Sequence, residues 1–443
     1  MRETFDLIVI GAGPGGYELA AEAASEGLRT VLFERDLPGG TCLNRGCIPT
    51  KALCRSAEAA RTAREASAFG ITTGEVAVDF PAVMARKDRI VEGLRAGVET
   101  LLGGVTVVRG EARFAAADTV ECDGISYTAP RIVVATGSRP SRLPIAGAEH
   151  ALTSDELLAL TALPDSLVII GGGVIGMEFA GVFASLGSKV TVVEYCQEIL
   201  PNFDAEVAKR LRMALKRQGI DIVTGAAVSS IAPDLTVSYT LRGKEKSVKG
   251  AAVLMATGRV PVIPDGLIEA GATLRRSALA VCPDTYKIVW AEGKAPADTE
   301  VYAVGDVNGI CMLAHAATAQ ALSILGKSQN RDVVPGVVFT TPEVAMVGLT
   351  EQQASEAGIA FRVLRSTFAA NGKAAAMGET AGMVKLIVEE TTDLLVGAHI
   401  CGPHAADLIQ ECAVLIANGL PHSALAHTVH PHPTLSEAIP AAK

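Results

Sequence analysis

The sequence lacks an excess of positive charge. Its 443 residues contain 39 lysines and arginines against 48 aspartates and glutamates, giving a formal net charge of −9. Proteins that bind nucleic acid carry basic surfaces, so this balance argues against nucleic acid as a main partner. The sequence also lacks a low-complexity linker, and its length predicts roughly two to four domains.

The sequence also lacks an uninterrupted apolar segment of membrane-spanning length. The strongest run, Leu167 to Gly187, is long enough to cross a bilayer, but it contains Glu178 near its middle and six glycines. A strand, a glycine turn and a buried helix explain it better, so we predict no membrane span. The opening residues MRETFDLIVIGAG lack the pattern of a signal peptide. We therefore expect a cytoplasmic protein with mostly reduced cysteines.

Glycine is abundant and follows a pattern near the start of the chain. A predicted strand at Leu7 to Ile10 enters GAGPGG, an alanine-rich helix follows, and the next strand ends at Glu34. This order is the dinucleotide-binding fingerprint. Gly11 allows the tight turn, Gly13 lets the backbone approach a pyrophosphate, and Gly16 lets the helix pack on the strand. Glu34 can accept hydrogen bonds from a ribose.

The same pattern occurs a second time. The run LVIIGGGVIG enters a predicted helix, and the following strand ends at Glu194. The spacing from Gly11 to Glu34 is 23 residues, and the spacing from Gly171 to Glu194 is also 23. Each copy has a later strand with a matching end, VVATG in the first and LMATG in the second. We therefore predict two successive dinucleotide-binding domains, followed by a C-terminal α+β domain.

Two cysteines, Cys42 and Cys47, lie close together in the segment GGTCLNRGCIPTK. A zinc site would need further ligands, and the sequence has no second close cysteine pair, so no metal site is predicted. A structural disulfide is disfavoured in a reducing compartment, whereas two packed core cysteines remain possible. The segment is polar and follows Glu34 at the edge of the sheet where ligands bind, which favours a redox role. A helix distorted at Gly46 would bring the two sulfurs together.

These motifs resemble the flavin-dependent pyridine nucleotide-disulfide oxidoreductases over nearly the whole chain. The resemblance also includes YAVGDV, MLAH, TTPEVAMVGLTE, AANGKAAAMGET and HPHPTLSE. Within the family it is strongest to the dihydrolipoamide dehydrogenases. MLAH and Leu435 favour them over the glutathione reductases, and Val174 stands where the glutathione reductases carry a tyrosine.

The resemblance implies an α/β fold with two Rossmann-like domains. The expected divisions are an FAD-binding domain at 1–148, an NAD-binding domain at 149–268, a central domain at 269–338 and a dimerisation domain at 339–443. The stretch from 277 to 300 departs from the family's usual pattern, and His404 stands where a small residue is usual.

The resemblance also implies the catalytic residues. Cys47 would lie against the flavin, and Cys42 would exchange with the substrate. Lys51 would sit near the flavin and pair with Glu178. In HPHPTLSE, His432 would be the general acid/base, and Glu437 would orient it. His430 is expected to be structural.

The implied cofactors are FAD and NAD. The predicted FAD residues are Gly11, Gly13, Pro14, Gly16, Glu34, Gly40, Thr41, Lys51, Ala112, Thr136, Gly137, Ser138, Asp306, Met312, Leu313, Ala314 and His315. The predicted NAD residues are Gly171, Gly173, Val174, Ile175, Gly176, Glu178, Glu194, Val228 and Gly258.

The implied activity is oxidation of protein-bound dihydrolipoamide with reduction of NAD. The expected partners are a second copy of the chain and the lipoyl-bearing proteins of 2-oxoacid dehydrogenase or glycine cleavage complexes. Two alternatives are a reductase of another disulfide, similar to the glutathione reductases, and a non-catalytic flavoprotein. The second would predict a broken redox set, whereas all six predicted catalytic residues are present.

Overall fold

The computed structural model describes residues 2–327 and 331–443. The chain divides into two compact units, each assembled from separate stretches. The first contains Met1–Ala52, Ala85–Ser141 and Arg259–Arg331, and the second contains Leu53–Met84, Arg142–Gly258 and Asp332–Lys443. The boundaries of the four expected domains stay a prediction.

The first unit is built on a five-stranded parallel sheet. Its spatial order is Glu300–Ala303, Arg131–Val134, Leu7–Ile10, Thr30–Glu34 and Thr106–Arg109. The central strand is buried at every position, as expected for a parallel sheet covered on both faces. Carboxyl ends of parallel strands meet at one edge, so the glycine turn and Glu34 lie at the same edge.

Smaller sheets and the helices complete the first unit. A four-stranded sheet has the order Arg2–Thr4, Ile125–Thr128, Thr119–Cys122 and Arg113–Ala116. Two further strand pairs are Ser138–Pro140 with Arg259–Pro261 and Leu274–Arg275 with Ala278–Leu279. The helices are Pro14–Ser25, Gly40–Arg45 and Ala314–Ser323, while Cys47–Arg64 and Phe80–Leu101 are each divided between the two units.

The second unit begins with another parallel sheet. Its four strands have the order Asp221–Val223, Lys189–Val193, Ser166–Ile170 and Ala252–Met255. A three-stranded antiparallel sheet follows, formed by Ala226–Ile231, Thr236–Leu241 and Lys244–Lys249. The accompanying helices are Ser154–Leu157, Val174–Leu186 and Ala205–Arg217.

The C-terminal part of the second unit contains a five-stranded antiparallel sheet. Its order is Gly336–Val338, Glu343–Gly348, Leu395–Gly402, Met383–Glu389 and Phe361–Thr367. The helices here are Glu351–Glu356, Gly372–Met377, Ala405–Ala417 and Ser423–His427. Helix Ala405–Ala417 buries Ile409 and Cys412 in the same apolar core as the sheet residues. His404 precedes this helix in the left-handed region, with φ of 54°.

The predicted α/β fold class is confirmed: two nucleotide folds on parallel sheets are followed by an α+β part. The apolar run from Leu167 to Gly187 forms a strand, a glycine turn and a helix. Among the described residues, no helix combines the length and hydropathy needed to cross a membrane. The unusual stretch at 277–300 supplies strand Ala278–Leu279 and the buried Tyr286.

Candidate active site

The first glycine turn leaves no room for side chains at two of its positions. A Cβ at Gly11, where φ is +101°, would lie 2.4 Å from the carbonyl oxygen of Ala135. A Cβ at Gly16 would lie 1.8 Å from the carbonyl oxygen of Gly11. Gly13 differs, because a Cβ there would meet no protein atom within 4 Å. Helix Pro14–Ser25 starts there without a side-chain cap, so its first amides can bind an anion.

Glu34 closes this turn from the end of the neighbouring strand. Its Oε2 accepts a hydrogen bond of 2.8 Å from the amide of Ala12, and its Oε1 accepts one of 2.8 Å from the amide of Asp36. A carboxylate has about four acceptor positions, so a ribose hydroxyl can still donate to it.

The second glycine turn repeats this construction in the second unit. A Cβ at Gly171 would lie 2.4 Å from the carbonyl oxygen of Ala256, and one at Gly176 would lie 2.0 Å from that of Gly171. Gly173 again faces open space, and helix Val174–Leu186 starts without a side-chain cap. Glu194 is buried and accepts hydrogen bonds from the amides of Gly172 and Cys196. Both turns can therefore hold a dinucleotide pyrophosphate.

Four separate stretches of sequence meet beside the first turn. The Ser138 hydroxyl donates to Asp306 Oδ2 at 2.5 Å, and Arg259 Nε donates to the Ser138 hydroxyl at 2.7 Å. Arg259 Nη2 also donates to the carbonyl oxygen of Ser138 at 2.7 Å and to the hydroxyl of Thr41 at 3.4 Å. Arg259 was not among the site residues predicted from the sequence. Its only local signal is its position directly after the LMATG motif of the second nucleotide fold.

The cysteine segment forms two successive helices rather than one. Helix Gly40–Arg45 carries Cys42 and ends at Gly46, and helix Cys47–Arg64 begins with the second cysteine. A Cβ at Gly46 would lie 2.9 Å from the carbonyl oxygen of Thr41, so glycine permits this close turn. The distortion expected at Gly46 is therefore a complete break between helices.

The first cysteine helix packs directly on the first glycine turn. A Cβ at Gly40 would lie 2.6 Å from the Cα of Gly13, and the amide of Gly39 donates to the carbonyl oxygen of Ala12 at 2.8 Å. Asn44, which was not predicted as a site residue, donates to the carbonyl oxygen of Gly40 at 2.9 Å. These contacts fix the position of Cys42 relative to the first glycine turn, where the sequence predicts the FAD site.

The two thiols interact with each other. The hydrogen bond between them, together with burial, raises the pKa of the Cys42 thiol, while the positive charge of Lys51 acts in the opposite direction. The thiol form of Cys42 is therefore favoured over its thiolate. A thiolate is the reactive form of cysteine in disulfide exchange.

Cys42 lines a cavity of about 440 Å³ within the first unit. Leu43, Ile48, Leu94 and Val98 give the cavity an aliphatic wall, and His315 also lines it. Cys42 is therefore accessible from a space that suits a slender apolar chain.

The histidines of HPHPTLSE have different environments. His432 is 78% exposed, and its Nδ1 lies 2.9 Å from Glu437 Oε1. The amide of Thr434 and His432 together hold the pKa of Glu437 below its usual value. His430 is only 9% exposed, and its Nε2 lies 2.8 Å from Glu411 Oε1. The exposed pair of His432 and Glu437 can exchange a proton with a ligand, whereas His430 is buried beside Glu411.

Each predicted cofactor group lies within one unit. All the predicted FAD residues are in the first unit, where Ala112 is buried and His315 belongs to helix Ala314–Ser323. All the predicted NAD residues are in the second unit, where Val228 lies on strand Ala226–Ile231.

Lys51 and Glu178 belong to different units, and their pairing stays a prediction. Glu178 is buried and accepts a hydrogen bond of 2.9 Å from the amide of Phe339.

Within residues 2–327 and 331–443, no group of three or more histidine, cysteine, aspartate or glutamate residues is placed to hold a metal ion.

Two protein-family models match the chain. Pyridine nucleotide-disulphide oxidoreductase matches residues 5–321, and the corresponding dimerisation domain matches residues 334–443. The dihydrolipoyl dehydrogenase of Chlamydia muridarum is 39% identical over 462 residues, which cover 99% of this chain and 96% of the relative. The dihydrolipoyl dehydrogenase of Bacillus subtilis is 35% identical over 469 residues, with 99% and 97% coverage.

The fold is also similar to that of solved flavoproteins. The HOCl-induced flavoprotein disulfide reductase RclA from Escherichia coli aligns with a TM-score of 0.84 and 30% sequence identity. The alignment covers 98% of each chain.

Proposed function

Because the chain belongs to the pyridine nucleotide-disulphide oxidoreductase family, we propose that it is a dihydrolipoamide dehydrogenase that reduces NAD⁺. It is an oxidoreductase with FAD and NAD(H) as its cofactors. Its proposed substrate is dihydrolipoamide carried by the lipoyl-bearing proteins of 2-oxoacid dehydrogenase or glycine cleavage complexes.

One observation carries the proposal of a dithiol substrate. Cys42 and Cys47 share a hydrogen bond, and Cys42 lines an aliphatic cavity beside the first glycine turn. A redox-active pair with this access suits thiol–disulfide exchange with a small apolar dithiol. The dihydrolipoyl dehydrogenases at 35% and 39% identity support the same substrate.

The two turns fit the two cofactors. Gly13 and Gly173 both leave open space where a side chain would otherwise lie, and both following helices start without a side-chain cap. We assign FAD to the first turn and NAD to the second. When bound, FAD supplies the acceptor for the electron pair of the reduced cysteines, and NAD⁺ supplies the final hydride acceptor.

In the proposed exchange, His432 removes a proton from one thiol of dihydrolipoamide. The resulting thiolate attacks Cys42 Sγ of the oxidised pair, forms a mixed disulfide and releases the Cys47 thiolate. The second substrate thiol then attacks the substrate sulfur of the mixed disulfide and displaces Cys42 as its thiol. The dithiolane ring closes, the substrate loses two electrons and two protons, and the cysteine pair gains the electrons. Glu437 holds the histidine and offsets its charge.

The direct test uses the purified holoenzyme with two substrate pairs. Dihydrolipoamide with NAD⁺ should give NADH, whereas glutathione disulfide with NADPH should give much slower turnover. Faster turnover with glutathione disulfide and NADPH would replace the proposal with the other disulfide reductase function.

We further propose that the protein is a homodimer in which His432 serves the partner's cysteines. The C-terminal match to a dimerisation domain supports this arrangement. His432→Ala and Cys42→Ser proteins, each nearly inactive, should recover activity after being refolded together, because a mixed dimer would contain one complete site. Random mixing predicts about a quarter of the wild-type activity by symmetry counting.

Refolding each variant alone provides the control for this complementation. Verified mixed dimers without recovered activity would show that His432 acts on the cysteines of its own chain. The shared site would then be wrong, although dithiol oxidation could still be correct.

A further inference from the structure

One strand of the C-terminal antiparallel sheet carries a buried lysine. Lys385 lies on strand Met383–Glu389. Its Nζ donates to Asp204 Oδ2 at 2.8 Å, lies 3.4 Å from Glu206 Oε2 and also contacts Glu351. Burial lowers the pKa of Lys385, but the hydrogen bonds with Asp204 and Glu351 outweigh that effect and raise the pKa above its usual value. A charged lysine is therefore held inside the fold by carboxylates, and the proposed thiol–disulfide exchange gives it no role.

Asp204 joins this lysine to the start of a helix in the second nucleotide fold. Its other carboxylate oxygen, Oδ1, accepts hydrogen bonds from the amides of Glu206 at 3.0 Å and Val207 at 3.3 Å. These bonds cap helix Ala205–Arg217. Burial opposes ionisation of Asp204, but the hydrogen bond from Lys385 holds its pKa below the usual value. One charged carboxylate therefore fixes the helix start and its position relative to the sheet.

The loop that ends at Asp204 returns to the second glycine turn. The amide of Leu200 donates to the carbonyl oxygen of Gly172 at 2.9 Å, and the amide of Phe203 donates to that of Leu200 at 2.9 Å. Leu200 is buried with φ of 49°, a left-handed conformation that leucine keeps only where its surroundings hold it. Because the carbonyl and the amide of one peptide unit share a plane, the bond to Gly172 also orients the amide of Gly173, the open glycine of the turn.

We propose that Lys385 and Asp204 are a positioning pair that sets the affinity of the second turn for NAD⁺. This inference rests on the proposed assignment of NAD to that turn. Groups of the nucleotide fold itself hold the turn, and the pair acts one step further away, by fixing the end of the loop that carries Leu200. Without the lysine, the helix start and the loop could shift, and the amide of Gly173 would lose its fixed direction.

Lys385→Met is the first test, because methionine has a similar length and no charge. The Arg365 guanidinium still lies 3.1 Å from Glu206 and 3.3 Å from Glu351, so the loss of the lysine falls mainly on Asp204. We expect the KM for NAD⁺ to rise by about tenfold while kcat changes by less than about twofold. Reduction of the bound flavin by dihydrolipoamide in the absence of NAD⁺ should keep its wild-type rate, because the redox cysteines belong to the first unit.

Asp204→Asn breaks the same contact from the other side. Its oxygen can still cap the helix while the charge that binds Lys385 is absent, so this variant provides the test if Lys385→Met does not retain flavin. Because both changes break one contact, the double variant should raise the KM for NAD⁺ no further than the more affected single variant.

Lys249→Met is the matched control. Lys249 forms an exposed ion pair of 2.9 Å with Asp234 on the same nucleotide fold, and such surface pairs contribute little. This variant should leave the KM for NAD⁺ unchanged.

Three results would overturn the positioning role alone: an unchanged KM for NAD⁺ in both flavin-loaded single variants, an additive rise in the double variant, or an equally large loss in flavin reduction by dihydrolipoamide. A wild-type holoenzyme that does not oxidise dihydrolipoamide with NAD⁺ would overturn the proposed function as well.

Discussion

The two glycine turns have nearly the same backbone geometry but differ in how the rest of the chain supports them. The second turn is closed within its own fold: Glu194 accepts from Gly172 and Cys196, and its backbone amide donates to Val223 at 2.8 Å. Around the first turn, Arg259 connects Thr41 with Ser138, and Ser138 binds Asp306. The same glycine-turn motif therefore has different supporting contacts in the two nucleotide folds.

This difference agrees with the proposed cofactor roles. The cysteine helix packs on the first turn through Gly40 and Gly13, so a flavin nucleotide there would lie beside the reactive pair. The second turn has a simpler, local construction, which suits a coenzyme that binds and leaves in each cycle. Mutations at matched positions can separate the two roles.

The largest difference should come from valine at the two open glycines. Gly13→Val and Gly173→Val both place the added carbon where no protein atom lies within 4 Å, so the fold should tolerate them. Gly13→Val should prevent flavin retention and lower turnover by about a hundredfold or more, because no electron acceptor is held. Gly173→Val should keep the flavin but raise the KM for NAD⁺ by roughly a hundredfold, equivalent to about 3 kcal/mol.

Flavin absorbance, reduction of the flavin by the dithiol and NADH formation distinguish the two variants. Gly97→Val and Gly181→Val are controls, because these helical glycines also have open space around the added carbon. Normal flavin content in Gly13→Val would contradict the assignment of FAD to the first turn.

The local parts of both sites could be predicted from the sequence. Gly11 and Glu34, like Gly171 and Glu194, are 23 residues apart, and one strand–helix–strand unit determines their positions. The redox role of Cys42 and Cys47 was predicted from local signals too, namely their close spacing and their polar segment directly after Glu34. Gly46 also signalled a distorted helix, but the sequence could not show that the helix would end there and restart at Cys47.

The long-range contacts could not be predicted in this way. Arg259 lies 218 residues from Thr41 and 121 residues from Ser138 in sequence. Its strand, Arg259–Pro261, pairs with Ser138–Pro140, and this pairing has no counterpart in a local motif. Glu178 likewise binds the amide of Phe339, which is 161 residues away. Only tertiary packing decides such partners.

A smaller effect on flavin binding should show that Arg259 supports the first nucleotide site, although it directly follows the LMATG motif of the second nucleotide fold in sequence. Arg259→Ala removes charged hydrogen bonds to Ser138 in a site where the arginine side chain is 14% exposed, a loss of about 1.5–3 kcal/mol per bond at most. We expect FAD to dissociate at least about tenfold more readily while the KM for NAD⁺ changes by less than about twofold. Flavin release during dialysis and steady-state kinetics measure the two effects.

Arg139→Ala is the matched control, because Arg139 is exposed on the strand that pairs with Arg259–Pro261. It should leave flavin binding unchanged. An Arg259→Ala protein that keeps its flavin but binds NAD⁺ poorly would place Arg259 with the second nucleotide site instead.

The smallest expected effect concerns the choice between NAD and NADP at Glu194. A carboxylate at the end of this strand can bind the ribose 2′-hydroxyl and would repel a 2′-phosphate, so we predict a preference for NAD⁺. Glu194→Gln removes the negative charge, and its one carbonyl oxygen can replace only one of the two carboxylate oxygens that accept from the amides of Gly172 and Cys196. The ratio of kcat/KM for NADP⁺ to that for NAD⁺ should therefore rise by about fivefold, equivalent to roughly 1 kcal/mol.

Glu34→Gln provides the comparison at the first turn, where the same exchange removes the same charge from a half-buried position and should leave this ratio unchanged. A wild-type protein that uses both coenzymes equally well, or a Glu194→Gln protein with an unchanged ratio, would show that this carboxylate serves only to close the turn.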